Sequence, residues 1–429
     1  MAETSGASPA TSTGCIIVGG GPAGMVLGLL LARRGVRVQV LELHADFERD
    51  FRGDTIHPST MEMLDRIGAA EDLHRLRHGK LRAMRFVTPQ RTWRLVQLDR
   101  LKTRFPYIMI APQARFLEFL HERARRYAHF SLVFQATVQE LIEEDGVVKG
   151  VRYKDARGAV HDVRAPLTVA ADGRGSRLAR LAGLEAEPQA PEMDVIWLRL
   201  PKKVGDLPDE GALYSGDGRF MVVFDRDTEW QAGYVIAKGG YQKLRDEGIA
   251  QLQRNVARLV PWLADRVAAL DDWKKTHMLA VAADRLPRWH KPGILFIGDA
   301  AHAMSPIGGV GINYAIGDAV EAANVLSEKL RAGGPIAEAD LAEIQRRREP
   351  VVAKVQRAQA VIQKRVVGES LGHQKQFVPP LPIRLILATP FLRDIPARLV
   401  AFGPQPYRLE RADEHPAAPF PDVGLHPPA

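Results

Sequence analysis

Two glycine-rich clusters, about 280 residues apart, carry the residue types best suited to holding a phosphate-bearing ligand. The first is Gly19-Gly20-Gly21-Pro22-Ala23-Gly24. It follows the apolar run Cys15–Val18, which suits a buried parallel strand. It precedes a Leu- and Ala-rich stretch from Met25 to Arg34 that suits a helix closed by Gly35. Val36 to Leu43 then alternates like a second strand, and Glu42 stands near its end, 18 residues after Gly24. This strand, turn, helix, strand and acid order is that of a dinucleotide site. Gly19 permits the tight turn. Gly21 lets the backbone approach a pyrophosphate, and Gly24 lets helix and strand pack closely. Ala23 belongs to a helix N-terminus that offers free N–H groups to phosphates. Glu42 would accept hydrogen bonds from a ribose diol.

The second cluster is Gly298-Asp299-Ala300-Ala301-His302, continuing to Pro306 and Gly308-Gly309-Val310-Gly311-Ile312-Asn313. The run Gly293–Ile297 before it reads as another buried strand. Asp299 is placed to accept from hydroxyls of a ribityl chain. Pro306 stiffens the loop. Gly308, Gly309 and Gly311 clear side chains from the start of a helix expected from Asn313 to about Lys329. The N-terminus of such a helix would stabilise negative charge on a reduced flavin ring. A third motif, Asp172-Gly173-Arg174-Gly175-Ser176-Arg177, follows a strand-like Thr168–Ala171.

Together these motifs resemble the FAD-dependent aromatic hydroxylases, the single-component flavoprotein monooxygenases of the para-hydroxybenzoate hydroxylase type. The resemblance runs from residue 14 to about 330. It departs from the family at Ala179, where relatives usually carry an arginine. It implies an α/β fold: a Rossmann-like FAD-binding domain of the GR2 type, an interleaved substrate domain on a mainly antiparallel sheet, and a helical C-terminal segment. It implies FAD as cofactor, NADH or NADPH as transient electron donor, and O2 and a small aromatic as substrates. The chemistry implied is hydride transfer to the flavin, a flavin C4a-hydroperoxide, and OH transfer to an electron-rich ring. The resemblance alone adds Arg52, near the FAD phosphates or mobile flavin, and Gln113, against the sugar-alcohol chain. With Asp172 they complete the cofactor-binding set. His57 and Pro306, on loops near the flavin in relatives, are the catalytic candidates. For His57 the competing role is positioning the helix after Pro58. Tyr214, Phe224 and Tyr234 are candidates for the substrate pocket.

The expected organisation is discontinuous. Residues 14–80, 113–182 and 290–330 form the FAD domain, residues 82–111 and 190–285 the substrate domain, and 338–429 a polar helix and proline-rich tail. No second GxGxxG and no internal repeat are evident, which argues against a separate nicotinamide domain. The absence of a Trp-x-Trp pair among the six tryptophans argues against a flavin-dependent halogenase. A reductase or dehydrogenase on the same fold, or a non-catalytic flavin-binding redox sensor, stays open.

Composition sets the remaining bounds. The 429 residues allow a sizeable core. The single cysteine, Cys15, excludes an intrachain disulfide and suits a reducing compartment. The N-terminus lacks a signal-peptide pattern, and no apolar run approaches the roughly 20 residues of a membrane span. A cytoplasmic monomer or homodimer is expected, with no metal site and no stable membrane insertion. The net charge of +8 comes from scattered arginines, so nucleic acid is not expected as a partner. The segment Phe377–Phe402 mixes apolar residues with Arg384, Arg393 and Arg398. Its prolines break any long amphipathic helix, so packing on the enzyme's own body is expected over lying on a membrane.

Overall fold

A computed structural model describes residues 11–48, 54–189, 193–206, 210–371, 381–389 and 392–411. Arg52 lies outside the described residues. In chain order, the elements that build the site are β1 (Cys15–Val18), α1 (Pro22–Arg33), β2 (Val38–Leu41), α2 (Pro58–Arg66), β3 (Phe130–Val133), β4 (Thr168–Ala170), β5 (Met193–Pro201), β6 (Glu210–Gly216), β7 (Arg219–Asp225), β8 (Glu229–Ala237), α3 (Ile249–Leu259), β9 (Ile294–Phe296), α4 (Gly311–Arg331), α5 (Glu338–Ser370), α6 (Leu381–Ala388) and α7 (Ile395–Phe402).

The molecule is mixed α/β. The strand order β9-β4-β1-β2-β3 makes a parallel sheet, with the short strand His290–Lys291 antiparallel at its β9 edge. One face, with Ile17, Val38 and Val40, packs on α1 and α4, and the other, with Ile16, Val18 and Leu41, packs on the antiparallel strands Thr137–Glu144, Val147–Lys154 and Val160–Arg164. β1 and β9 are wholly buried, and so is α1 from Ala23 to Arg33. α1 packs against α4, so the two helices that start at the glycine clusters share one layer.

The second sheet has seven strands, ordered Thr276–Leu279, β5, β8, β7, β6, Ala83–Val87 and Thr92–Gln97. All its pairings are antiparallel except that of β6 with Ala83–Val87. Side-chain alternation gives it two different faces. Ile196, Leu198, Met221, Val223, Ala232 and Ile236 point to one side, where α3 contributes Leu252 and Val256. Val195, Trp197, Phe220 and Val235 point to the other, where Ile307 of the second glycine loop packs against them.

α4 agrees with the helix expected from the second cluster, beginning two residues earlier and ending two later. α5 is the expected polar helix, and it carries Pro350 in its interior. α7 packs on the Thr92–Gln97 strand and on α2, with Ala397 and Ala401 buried.

Candidate active site

Three motifs follow the C-terminal ends of three adjacent parallel strands: the GGGPAG turn after β1, the Asp172 turn after β4 and the Gly298-Asp299 turn after β9. That end of an open α/β sheet is where ligands bind. Gly19 has φ +109°, and a Cβ there would sit 2.1 Å from the Ala171 carbonyl oxygen. A Cβ on Gly24 would sit 2.0 Å from the Gly19 carbonyl oxygen. Only glycine fits either place. Around Gly21, by contrast, a Cβ would meet no atom within 4 Å. Gly21 is also the N-cap of α1, and no side chain caps that helix. The missing cap and the open space at Gly21 suit a helix start that binds an anion. Glu42 Oε2 accepts from the Gly20 N–H at 2.7 Å, and Oε1 accepts from the His44 N–H at 2.9 Å. The acid thus ties the end of β2 to the glycine turn.

The other two turns meet each other. Arg174 Nε donates to Asp299 Oδ2 at 3.3 Å, both side chains being partly exposed. Asp172 accepts from Ser176 Oγ at 2.6 Å and from the Leu178 N–H at 3.1 Å. Burial raises its pKa, and those hydrogen bonds oppose the rise. Ser176 in turn caps the short helix Arg177–Leu181 by accepting from the Ala179 N–H. Position 179, where relatives have arginine, is here a buried alanine inside that capped turn. Gln113 opens the helix Gln113–Ala124, with its N–H 3.4 Å from Asp54 Oδ1.

Behind the Gly298 turn lies a buried charge network. Asp318 Oδ2 accepts from the Gly298 N–H at 2.9 Å and contacts His302 Nε2 at 2.6 Å. Asp318 Oδ1 accepts from Arg348 Nε at 2.7 Å. Burial alone would raise the Asp318 pKa, but the His302 and Arg348 charges outweigh it and hold the carboxyl below its ordinary value. A side chain at Gly298 would come within 3.2 Å of the Ala23 Cβ, so the first and second motifs touch.

Pro306, Ile307 and the glycines lead into α4. Gly309, Gly311, Ile312 and Asn313 form its start, and Thr55 Oγ1 donates to the Gly309 carbonyl at 2.7 Å. Asn313 Oδ1 accepts from the His57 N–H at 3.1 Å and from Thr60 Oγ1 at 2.9 Å. The Asn313 side chain therefore holds the α2 segment against α4. His57 lies 1% exposed, with Nδ1 2.7 Å from the Val400 carbonyl of α7. Burial lowers its pKa to about 4, against the pull of the Val400 and Gly309 carbonyls. It holds α7 through that contact and stands at the N-cap of α2, the helix after Pro58.

A family model described as an FAD binding domain matches residues 12–359. The chain is 34% identical over 92% of its length, and 94% of the relative's, to 6-methylpretetramide 4-monooxygenase of Streptomyces rimosus. This chain belongs to the FAD-dependent monooxygenase family. It is also 27% identical, over 81% of this chain and 69% of the relative, to a 12-dehydrotetracycline 5-monooxygenase/anhydrotetracycline 6-monooxygenase of Streptomyces rimosus. In fold it is similar to PqsL, a probable FAD-dependent monooxygenase from Pseudomonas aeruginosa, with TM-score 0.72 and 20% identity over 83% of this chain and 97% of that one.

In this monooxygenase the three pocket candidates divide. Phe224 lies on the sheet face that carries Trp197 and Phe220, packed with Leu81, Ile108 and Ile110. Tyr214 and Tyr234 lie on the opposite face, under α3. Trp262 Nε1 donates to Tyr214 Oη at 2.9 Å. Burial raises the pKa of both tyrosines. The structure instead assembles residues that sequence reasoning missed. Asp54 faces Arg226 at 3.5 Å, and burial raises its pKa against that charge. Gln231 and Trp197 lie on the same sheet face, and Gln231 Oε1 and Trp197 Nε1 have no hydrogen-bond partner. No motif announces these groups, because strand register alone brings them together. Cys15 is buried, which pushes its thiol pKa far up, consistent with packing. Among the described residues no cluster of His, Cys, Asp and Glu is arranged to hold a metal.

Proposed function

We propose that this enzyme uses NADH or NADPH and O2 to hydroxylate a phenolic or polyketide-like aromatic. Bound FAD would supply the redox chemistry, taking up hydride and activating O2. The observation that carries the reading is the meeting of an aromatic and aliphatic sheet face with Ile307, beside the start of α4. An aromatic held between Trp197, Phe220 and that loop would lie next to the ring-facing end of the flavin site. The apolar walls would exclude water, as O2 chemistry at a bound flavin would need. The unpartnered Trp197 Nε1 and Gln231 Oε1 supply one donor and one acceptor for substrate hydroxyls or carbonyls. The names of the relatives, which act on 6-methylpretetramide and anhydrotetracycline, favour a fused-ring substrate.

The cofactor-binding set is Gly19, Gly21, Ala23, Gly24, Glu42, Gln113, Asp172, Gly298, Asp299, Gly309, Gly311, Ile312 and Asn313, with Arg52 from outside the described residues. Pro306 keeps its place as a catalytic candidate, on the loop that would lie next to the reacting ring. With no second nicotinamide fingerprint, NAD(P)H would visit the flavin transiently from the cytoplasm. The test is NAD(P)H oxidation by the FAD-loaded protein across a panel of phenols and aromatic polyketides. Oxidation that one aromatic stimulates, with a hydroxylated product, supports the reading. Oxidation that no aromatic stimulates favours a reductase, and no oxidation at all favours a sensor.

A further inference from the structure

The inward stripe of a helix packed on a protein body is expected to be apolar, yet on α5 it turns polar part-way along. Arg348, Val352, Gln356, Gln359 and Gln363 are buried and follow one another at helical spacing. The last three are glutamines, each 5% exposed or less. A buried amide without partners is costly, so each asks what holds it. Gln356 Nε2 donates to the Asp284 carbonyl at 2.9 Å and the Ala303 carbonyl at 3.0 Å, and its Oε1 accepts from Gln189 and Arg285. Gln359 is only half held. Its Nε2 donates to the carbonyls of Ser305 at 2.9 Å and Ile307 at 2.8 Å, on either side of Pro306. Those two carbonyls fix the amide with its nitrogen toward the second glycine loop, and its Oε1 has no partner. Gln363, one turn further on, has no partner for its Nε2.

Both orphaned groups stand beside the sheet face proposed to hold the aromatic. Ile307, whose carbonyl Gln359 holds, packs into the cluster of Val195 and Val235 with Trp197 and Phe220. α5 itself reaches β7, the strand of Phe220. Leu371, directly after α5, packs into the same cluster. The stretch from Gln359 to Leu371 therefore runs alongside the sheet face and the glycine loop. Residues spaced i, i+4 share one helix face with their Cβ atoms roughly 6 Å apart, enough to meet two substituents of one ring system.

We propose that Gln359 and Gln363 are a recognition pair for the substrate, Gln359 Oε1 accepting from a ring hydroxyl and Gln363 Nε2 donating to a carbonyl. The inference rests on the hydroxylase reading above and narrows it. The ligand is a fused-ring aromatic that carries both a hydroxyl and a carbonyl, not a simple phenol. Trp197 Nε1 and Gln231 Oε1 offer a like pair on the sheet, so polar groups on two edges of the ring system are read. A simple phenol has too few polar substituents to meet both pairs. It would leave buried amides unsatisfied, and that costs affinity.

The test is equilibrium dialysis of the FAD-loaded full chain with a hydroxyanthraquinone, the matching hydroxyanthracene without carbonyls, and unsubstituted anthraquinone. The wild type is expected to bind the first more tightly than either of the others. Q363L should remove roughly threefold to tenfold of the preference for the carbonyl. It should melt at or above the wild-type temperature, because an orphaned buried donor has gone. Q363M repeats the measurement with an unbranched side chain, in case the leucine does not fit. Q359M should reduce the preference for the hydroxyl. It also frees the glycine loop, but a displaced loop weakens all the probes together and leaves their ratios alone. Affinity ratios that stay at wild-type values in Q363L and Q363M overturn the proposal, since the amide is then only an internal defect of the fold. A wild type that does not distinguish the probes overturns it too. Binding is read without turnover, so failure of the hydroxylase reading shows separately, as selective binding with no hydroxylated product.

Discussion

Burial of His57 makes this residue a source of acid sensitivity. Its folded pKa is about 4 against an ordinary 6.5, so the fold holds it neutral. A depressed histidine contributes stability above the unfolded pKa and loses it as pH falls toward the folded one. The loss amounts to about 3 kcal/mol between pH 6.5 and 4. Melting temperature should therefore fall over that window, and H57Q should flatten part of the slope. Parallel slopes in the two proteins would contradict this assignment. Glu42 makes a second prediction. E42A removes a carboxylate that holds the Gly20 N–H, and hydrogen bonds to charged groups are worth about 1.5–3 kcal/mol. FAD affinity, read by flavin fluorescence on the apoprotein, should drop at least tenfold, and unchanged affinity would count against the site. The tight turn at Gly19 and Gly24 was legible in the sequence because its geometry depends on neighbours within one strand–helix–strand unit. The Asp318–Arg348 pair was not, because its partners come from two helices that meet only in the folded core.

At the scale of elements, the second sheet decides which side chains can reach an aromatic. F220A should raise the KM for substrate roughly threefold to tenfold, the worth of about 1 kcal/mol of aromatic contact. Y234F lies on the α3 side and should leave KM unchanged while lowering melting temperature slightly. The reverse pattern would show that the faces are misassigned. The strands Asp194–Arg199, Phe220–Phe224 and Trp230–Ile236 were readable from their apolar runs, and they form the cores of β5, β7 and β8. Which side faces the second glycine loop was not readable, because a shift of one residue exchanges the two faces. Tyr214 and Tyr234 lie on the α3 side, and Trp197 and Gln231 on the other.

Across the whole molecule, the Gly298 turn is tied to α5 through a buried chain of contacts: Gly298 to Asp318, Asp318 to Arg348. Removing one partner of a buried pair costs about 3–5 kcal/mol. R348A should lower both melting temperature and FAD retention, and loss of one without the other would break the proposed link. The α/β plan itself was legible because each glycine cluster is flanked by its own strand and helix. The row of buried glutamines on α5 was not, because burial depends on what the rest of the chain covers.

The central claim is that this flavoprotein places oxygen on an aromatic ring. The most direct measurement is mass spectrometry of products made by the FAD-loaded enzyme under ¹⁸O2 with NAD(P)H and a panel of phenols and polyketides. One labelled oxygen atom is expected in the hydroxylated product of at least one panel member. Substrate-dependent NAD(P)H oxidation that yields no labelled product across the panel would contradict it.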